Sequence, residues 1–361
     1  MNSRAIRRPA NSSSATFLAL ALAATASAGV LAADWPAFRG PRHDGISTER
    51  ITWPKRGPKE KWKINVGIGH SAVSVVGNRA YTMGNANGTD TVFGIDVETG
   101  TVVWTHSYPC NEKVGIKDYD GPFATPTVAN GSSGGMALDL KTGKPLWKSG
   151  AGSGGHATPV PMRIGGKTYV AIHGPRTLTI VDARDGKPFW TTDRRQPIGV
   201  NAPDPVVDGT RVFVTAGRAF GGALFDVAGA TTPIWEQVGL SSHWHTSVLV
   251  NGFLYGPDGN NSEGAGRSPT SLRSLDWKTG EIMWTEPQLG FNGVIAVGGN
   301  LLVLTETGDL VLVEASPVAY TELGSANVIE GRVFTAPSYA NGRVYARNTK
   351  GDVVCLELAA R

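Results

Sequence analysis

FGIDVETGTVVW, spanning Phe93–Trp104, is a phrase the chain repeats. It returns as MALDLKTGKPLW ending at Trp147, LTIVDARDGKPFW ending at Trp190, and SLDWKTGEIMW ending at Trp284. A looser copy runs from Asp226 to Trp235. The alternating apolar run before each acid reads as a strand. Asp-x-x-Thr-Gly reads as a turn, in which the carboxylate accepts backbone N–H groups and the glycine supplies a positive φ. The next strand carries a Trp, large enough to fill the space between neighbouring sheets.

Working outward, the acidic anchors are Asp96, Asp139, Asp182, Asp226, Asp276, Glu314 and Glu357, the last two in degenerate copies around Tyr320 and the C-terminus. Their spacings are 43, 43, 44, 50, 38 and 43 residues. A period of that length with several strands per unit is the signature of a β-propeller blade. Helical repeats fail on period and pattern. A further hairpin precedes most anchors, with turn glycines at Gly77, Gly166, Gly209, Gly252, Gly299 and Gly342. The stretch containing Trp62 has the Trp-bearing outer strand but no strands before it. The last unit ends after its acid-bearing strand. The expectation is therefore an all-β, single seven-bladed β-propeller over residues 34–361, closed by an N-terminal strand that pairs the strand of Trp62 with that of Cys355; eight blades is the alternative. Closure removes an exposed edge. The second unit is too short for two strands between Gly131 and Asp139, so it either lacks a strand or borrows one from Cys110–Gly121. A Gly/Asn/Ser-rich insert spans Asp258–Thr270.

Composition agrees. Of 361 residues 47 are glycine, well above the ordinary ~7%. Residues 1–33 read as a secretory signal peptide: Arg4, Arg7 and Arg8 precede an Ala-rich apolar run ending in small residues. Its removal leaves a net charge of +1 in place of +4, with no basic field to argue for nucleic acid. No later segment reads as membrane-spanning. Two cysteines, Cys110 and Cys355, do not make a disulfide scaffold. A periplasmic or secreted monomer is expected.

The Asp-x-x-Thr-Gly-x-x-x-Trp phrase resembles the repeat of the pyrroloquinoline-quinone (PQQ) type propellers, which include quinoprotein dehydrogenases and the assembly propeller BamB. The opening Asp34-Trp35-Pro36-Ala37-Phe38-Arg39-Gly40-Pro41, the phrase VLVEASPVAY and the ending ARNTKGDVVCLEL resemble secreted PQQ-like repeat proteins. For a dehydrogenase the resemblance implies a quinone held against a Trp, often beside a vicinal disulfide, and a calcium ion on Glu, Asn and Asp ligands. This chain has no Cys-Cys pair and no Cys-x-x-Cys-His. The resemblance thus implies the fold without licensing a cofactor.

Candidate binding residues are His70, His156, Asp204, His243, Trp244 and His245, each at or just before the inner strand of a unit, where a propeller opens its channel. Imidazoles suit transition metals, but these come from different units with no acidic partners in sequence, so no metal and no quinone are expected. Trp62, Asp96, Trp104, Asp139, Trp147, Asp182, Trp190, Asp226, Trp235, Asp276 and Trp284 are read as structural. The functional expectation is an extracytoplasmic scaffold that binds a protein or polymer at the channel mouth; the alternative is a quinone- or metal-dependent oxidoreductase.

Overall fold

The computed structural model describes residues 33–358, apart from 112–119, 127–134, 139–141, 143, 150–156, 175, 195–200, 218, 260–269, 288 and 290–291. The expected signal peptide, apart from residue 33, thus lies outside the described residues, as do Asp139, His156 and most of the Asp258–Thr270 insert. Only the backbone of Trp147 is described.

The described residues are all-β, in a propeller-like series of sheets. The first contains Ser74–Val76, Arg79–Ala86, Thr89–Asp96 and Val102–Pro109 in that order. The second has two described strands, Gly135–Leu138 and Pro145–Ser149. Cys110 stays with the first sheet, its N–H donating to Gly88 O at 2.8 Å. The third holds Val160–Ile164, Lys167–His173, Thr177–Asp182 and Pro188–Asp193; the fourth holds Val206–Asp208, Arg211–Ala216, Gly221–Asp226 and Trp235–Gln237. The fifth holds Val248–Val250, Phe253–Asp258, Ser271–Asp276 and Ile282–Glu286. The sixth is Asn292–Val297, Asn300–Thr305, Asp309–Glu314 and Glu322–Asn327, with Ile46–Ser47 added in parallel on its first strand. The seventh is Ser338–Ala340, Arg343–Arg347 and Asp352–Glu357, and its fourth strand is Lys59–Asn65, with Trp62 opposite Cys355.

The turns form as their residues dictate. Asp96 Oδ1 accepts the N–H groups of Glu98 and Thr99 at 3.0 and 3.2 Å, and Gly100 N–H returns to Asp96 O at 2.9 Å. Asp276 repeats the arrangement with Lys278, Thr279 and Gly280. Burial works against the charge on both carboxylates, but these N–H donors outweigh it and hold them below the usual range. The six predicted hairpin glycines all have positive φ. At Asn251-Gly252 and Asn341-Gly342 both residues do, as a two-residue hairpin turn requires.

The tryptophans tie one sheet to the next. Trp62 donates its indole N–H to Val97 O at 2.8 Å, in the turn that follows Asp96. Trp235 donates to Trp277 O at 3.0 Å, and Trp284 to Ser316 O at 2.8 Å. A Cβ on Gly100 would lie 2.8 Å from Trp62, and one on Gly280 would lie 2.6 Å from Trp235. Gly100 and Gly280 are therefore each needed twice: for a φ near +70° and for the ring seated on it. A β-bulge just ahead of the Trp recurs in the first, third and fifth sheets and at Glu60/Trp62. The bulge aims the ring at the neighbour. In the third sheet Trp190 finds no Thr-Gly turn ahead of it. Its buried indole N–H lacks an acceptor, and the ring packs edge-on against Phe225, 5.5 Å between centroids.

The sixth sheet corrects the expectation for Tyr320. Its outer strand begins at Glu322, and the Trp position is Gly324, opposite Leu312. Trp53 from the N-terminal segment lies against that glycine, 2.3 Å from where a Cβ would stand. A Trp is supplied there from a distant part of the chain.

Between the first and seventh sheets the contacts are dense. Beside Trp62, Lys61 and Arg343 both pair with Glu98, at 3.1 and 2.7 Å. Arg347, almost fully buried, donates to the carbonyls of Ser71, Met83 and Gly67 and to Thr82 Oγ1. Burial lowers its pKa to about 9. Trp62→Ala removes a buried ring and its hydrogen bond together. It should cost about 3–5 kcal/mol in chemical denaturation, and a loss below about 1 kcal/mol would show that the ring does not hold these sheets together.

Candidate functional site

The segments that lead into the inner strands are laced to one another. Thr335 Oγ1 donates to His70 O at 3.0 Å, joining the seventh sheet to the first. Ala72 N–H donates to Thr125 Oγ1 at 3.0 Å, and Ser74 Oγ donates to Pro126 O. Thr158 N–H donates to Asp204 Oδ1 at 2.6 Å, and Asp204 N–H donates to Thr246 Oγ1 at 2.8 Å, joining third, fourth and fifth. These segments therefore share one face. The hairpins between second and third strands lie at the same end, because the strands are antiparallel.

The candidate residues that are described, His70, Asp204, His243, Trp244 and His245, fall into two clusters on this face; His156 lies outside the described residues. His70 is buried and stacks on Phe123, 4.3 Å between centroids at 15°, with Phe334 5.5 Å away. The guanidinium of Arg332 sits 4.3 Å above the Phe334 ring and pairs with Glu306 at 2.5 Å. The second cluster joins Asp204 to His243, Trp244 and His245 through Thr246. Residues 243–247 are not a strand, so strand alternation does not set the directions of the two histidines; Trp244 lies beside His243, 4.6 Å between ring centroids. Both histidines are buried, not at a solvated mouth. A recess lined by Ser242, His243, Trp244, His245, Pro257 and Asp258 opens beside them. Just past the outer strand of the third sheet, Arg194 covers the Phe220 ring at 4.7 Å and pairs with Glu236, on the outer strand of the fourth, at 2.6 Å.

Phe220, Phe334, Arg194 and Arg332 are not among the candidates that the sequence offers, and Phe123 enters only as part of GPFATP, a phrase at a position comparable to those of the histidines. The signal available was the recurrence of an aromatic residue in loops entering or linking inner strands, as in GPFATP and RVFTAP.

Among the described residues no group of three or more His, Cys, Asp and Glu could hold a metal ion. The Arg39 guanidinium acts on the Asp204 carboxylate at a distance, partly offsetting the effect of burial. Cys110 and Cys355 are both free; Cys355 is buried in the seventh sheet opposite Tyr345.

Burial sets the titration of this face. It raises Asp204 to about 6, with Arg39 and the Thr158 N–H opposing, and lowers His173 to about 4 and His245 to about 3. An unfolded histidine takes up a proton below about 6.5 while these two stay neutral, so each removes stability as pH falls from there. The slope is about 1 kcal/mol per pH unit for each. Asp204 has the opposite sign. Its folded pKa lies above the ordinary carboxylate value, so it adds stability as pH falls through about 6. Urea unfolding between about pH 7 and pH 4.5 should therefore show a steeper acid loss in Asp204→Asn and a shallower one in His173→Asn than in the parent chain. Identical slopes in all three would refute the assignment.

Known proteins share this architecture. The chain is 31% identical over 102 residues to a quinoprotein glucose dehydrogenase of Gluconobacter oxydans (strain 621H), covering 23% of this chain and 13% of the relative. It is 25% identical over 158 residues to a polyvinylalcohol dehydrogenase of a Pseudomonas species, covering 37% and 24%. The matches thus span only a small part of either dehydrogenase. Among solved structures, a europium-containing methanol dehydrogenase superposes with a TM-score of 0.57 at 12% identity, over 90% of this chain and 98% of that one. The Pan2 WD40 domain of Neurospora crassa superposes with a TM-score of 0.54 at 10% identity, over 86% and 98%. At such identities the likeness is of fold alone. Residues 48–286 match the family described as outer membrane protein assembly factor BamB, and since that match spans more than half of the sequence, the chain belongs to this PQQ-like propeller family.

Proposed function

We propose that this protein is an extracytoplasmic binding or assembly scaffold, a ring of seven blades closed by the Lys59–Asn65 strand, and not an enzyme. Membership of a family named for an assembly factor supports the scaffold reading and a periplasmic or secreted setting. Seven successive sheets and seven acidic anchors support the blade count. The pairing of Trp62 with Cys355, with the Trp62 and Arg347 contacts onto the first sheet, supports closure. Among the described residues no helix is long and apolar enough to cross a membrane.

The observation that carries the binding role is the make-up of the face where the inner strands begin. Phe123, Phe220, Phe334 and Trp244 are exposed or half-buried there, and Arg194 and Arg332 lie over two of the rings. Aromatic residues and arginine are the types that dominate the energetics of protein interfaces. Each arginine is already oriented by a glutamate, which lowers the entropy lost on docking. A protein partner fits this surface better than a nucleic acid, since the mature charge is close to zero. His70, Asp204, His243 and His245 support the loops of that face from below, and His156 is assigned to the same ring of positions by sequence. The oxidoreductase alternative rests on the names of two partial relatives; the sequence has no Cys-Cys pair and no Cys-x-x-Cys-His, and no group of three or more His, Cys, Asp and Glu among the described residues could hold a metal.

Two measurements test the reading. Photo-crosslinking residues placed at Phe123, Phe220 and Phe334 should give discrete adducts in the native host, whereas residues placed at Thr99, Asp185 and Lys278, in the turns at the other ends of the sheets, should give none. The mature protein purified from the same cells should carry no stoichiometric metal by mass spectrometry and no visible chromophore. A single tightly held metal or quinone per chain would overturn the scaffold in favour of the oxidoreductase.

A further inference from the structure

The opening motif around Arg39 is not part of the aromatic rim, yet Trp35, Ala37, Arg39, Ser47 and Glu49 within and beside it are buried. Trp35, 2% exposed, exchanges two backbone hydrogen bonds with Val75, on the inner strand of the first sheet, at 2.8 and 2.7 Å. Ile46 and Ser47 pair with Ala296 and Val297, on the inner strand of the sixth. Ala296 N–H donates to Gly45 O at 2.8 Å, and Gly298 N–H to Ser47 O at 3.2 Å. The Glu49 carboxylate accepts the N–H groups of Asn341 and Gly342, both at 2.9 Å, in the first hairpin of the seventh. Tyr339 donates its hydroxyl to Arg50 O at 3.1 Å.

Arg39 completes the set. Its side chain is buried, and its backbone φ is 63°, a left-handed conformation that a non-glycine residue adopts only when its surroundings hold it there. Nη1 donates to Thr246 O at 3.1 Å and Nη2 to Ser247 O at 2.8 Å, at the entry to the inner strand of the fifth sheet. Nη2 also donates to Asp44 O, and Nε to His43 O, so the same group folds the segment back on itself. The Asp204 carboxylate adds a compensating charge without a direct ion pair. A planar fork with five donors can serve several carbonyls at once; an ammonium cannot do so in fixed directions.

One stretch of 17 residues, 34–50, thus contacts the first, fifth, sixth and seventh sheets, each through its innermost strand or the hairpin and entry segment beside it. These four sheets are consecutive in the ring, and in a ring the innermost strands line the axis. We infer that residues 34–50 are a built-in plug of the ring, anchored by Arg39, and that a partner is confined to docking against the aromatic face and cannot be a chain threaded through the centre. The inference rests on the scaffold and ring reading for its consequence to a partner; the contacts that carry it lie within the segment and its neighbours.

The test is hydrogen exchange on the mature chain near neutral pH, without any partner. The amides of Val75, Ala296 and Gly298, which donate to the plug, should exchange slowly in the parent protein. In Arg39→Ala they should exchange at least about tenfold faster, while the outer strand Ile282–Glu286 keeps its protection. Arg39→Lys should fall between. Rapid exchange of those three amides in the parent chain would overturn the plug, and so would parental rates in Arg39→Ala. If Arg39→Ala does not fold, the parent chain and Arg39→Lys still decide, parental rates in the lysine variant refuting Arg39 as the anchor. A slow plug in a protein that gives no crosslinks on the aromatic face would fail the scaffold reading alone.

Discussion

The seating of an outer-strand tryptophan on the acidic turn of the following sheet is the contact on which the rest of the architecture depends. An indole is too large to be buried within one four-stranded sheet, and its N–H needs an acceptor once water is excluded. The turn after Asp96 or Asp276 offers both a glycine floor and a free carbonyl. The same turn is stiffened by its own carboxylate, so the ring docks on a rigid surface. Where the turn loses its Thr-Gly, as after Asp226, the indole N–H of Trp190 goes without an acceptor and aromatic packing takes over. The contact is local, repeated and directional, which is what an array of sheets needs to keep a constant rotation from one to the next.

Much of this was legible in the sequence because it is periodic. Asp96, Asp182 and Asp276, with Trp104, Trp190 and Trp284, fall at turn and strand positions that follow from alternation and turn chemistry alone. The partner of the Trp62 strand could be named from the absence of preceding strands. The candidate site was less legible, because its residues are not periodic. His243 and His245 look like alternate residues of a strand, but the chain bends there, and tertiary hydrogen bonds such as that from Asp204 N–H to Thr246 Oγ1 override the local pattern. Phe123, Phe220 and Phe334 are each unremarkable in sequence and acquire meaning only when the loops meet. Arg39 stands in a phrase that carries a family resemblance, but a long-range contact from residue 39 to residues 246 and 247 leaves no trace in spacing.

The two ends of the sheets differ in chemistry for a physical reason. At the end bearing the acidic turns, carboxylates are spent on backbone N–H groups and on ion pairs such as Lys61–Glu98, which leaves a surface whose charges are already satisfied. At the other end, buried polar groups are shielded by aromatic rings, and Asp204, His173 and His245 are held far from their solution behaviour. Desolvated groups beneath a partly apolar rim make a surface that gains by being covered. The acidic-turn end has no such incentive.

The substitution of Gly324 for a tryptophan, answered by Trp53 from outside the repeat, bears on how such a chain can drift. A sheet that loses its own ring is not lost if another segment brings one to the same place, but the two positions are then bound together. A tryptophan restored at 324 would collide with Trp53, and a small residue at 53 would leave a hollow over the glycine. Neither site can change alone without penalty, although 271 residues of sequence separate them, so in descendants of this chain the pair should be inherited as a single character.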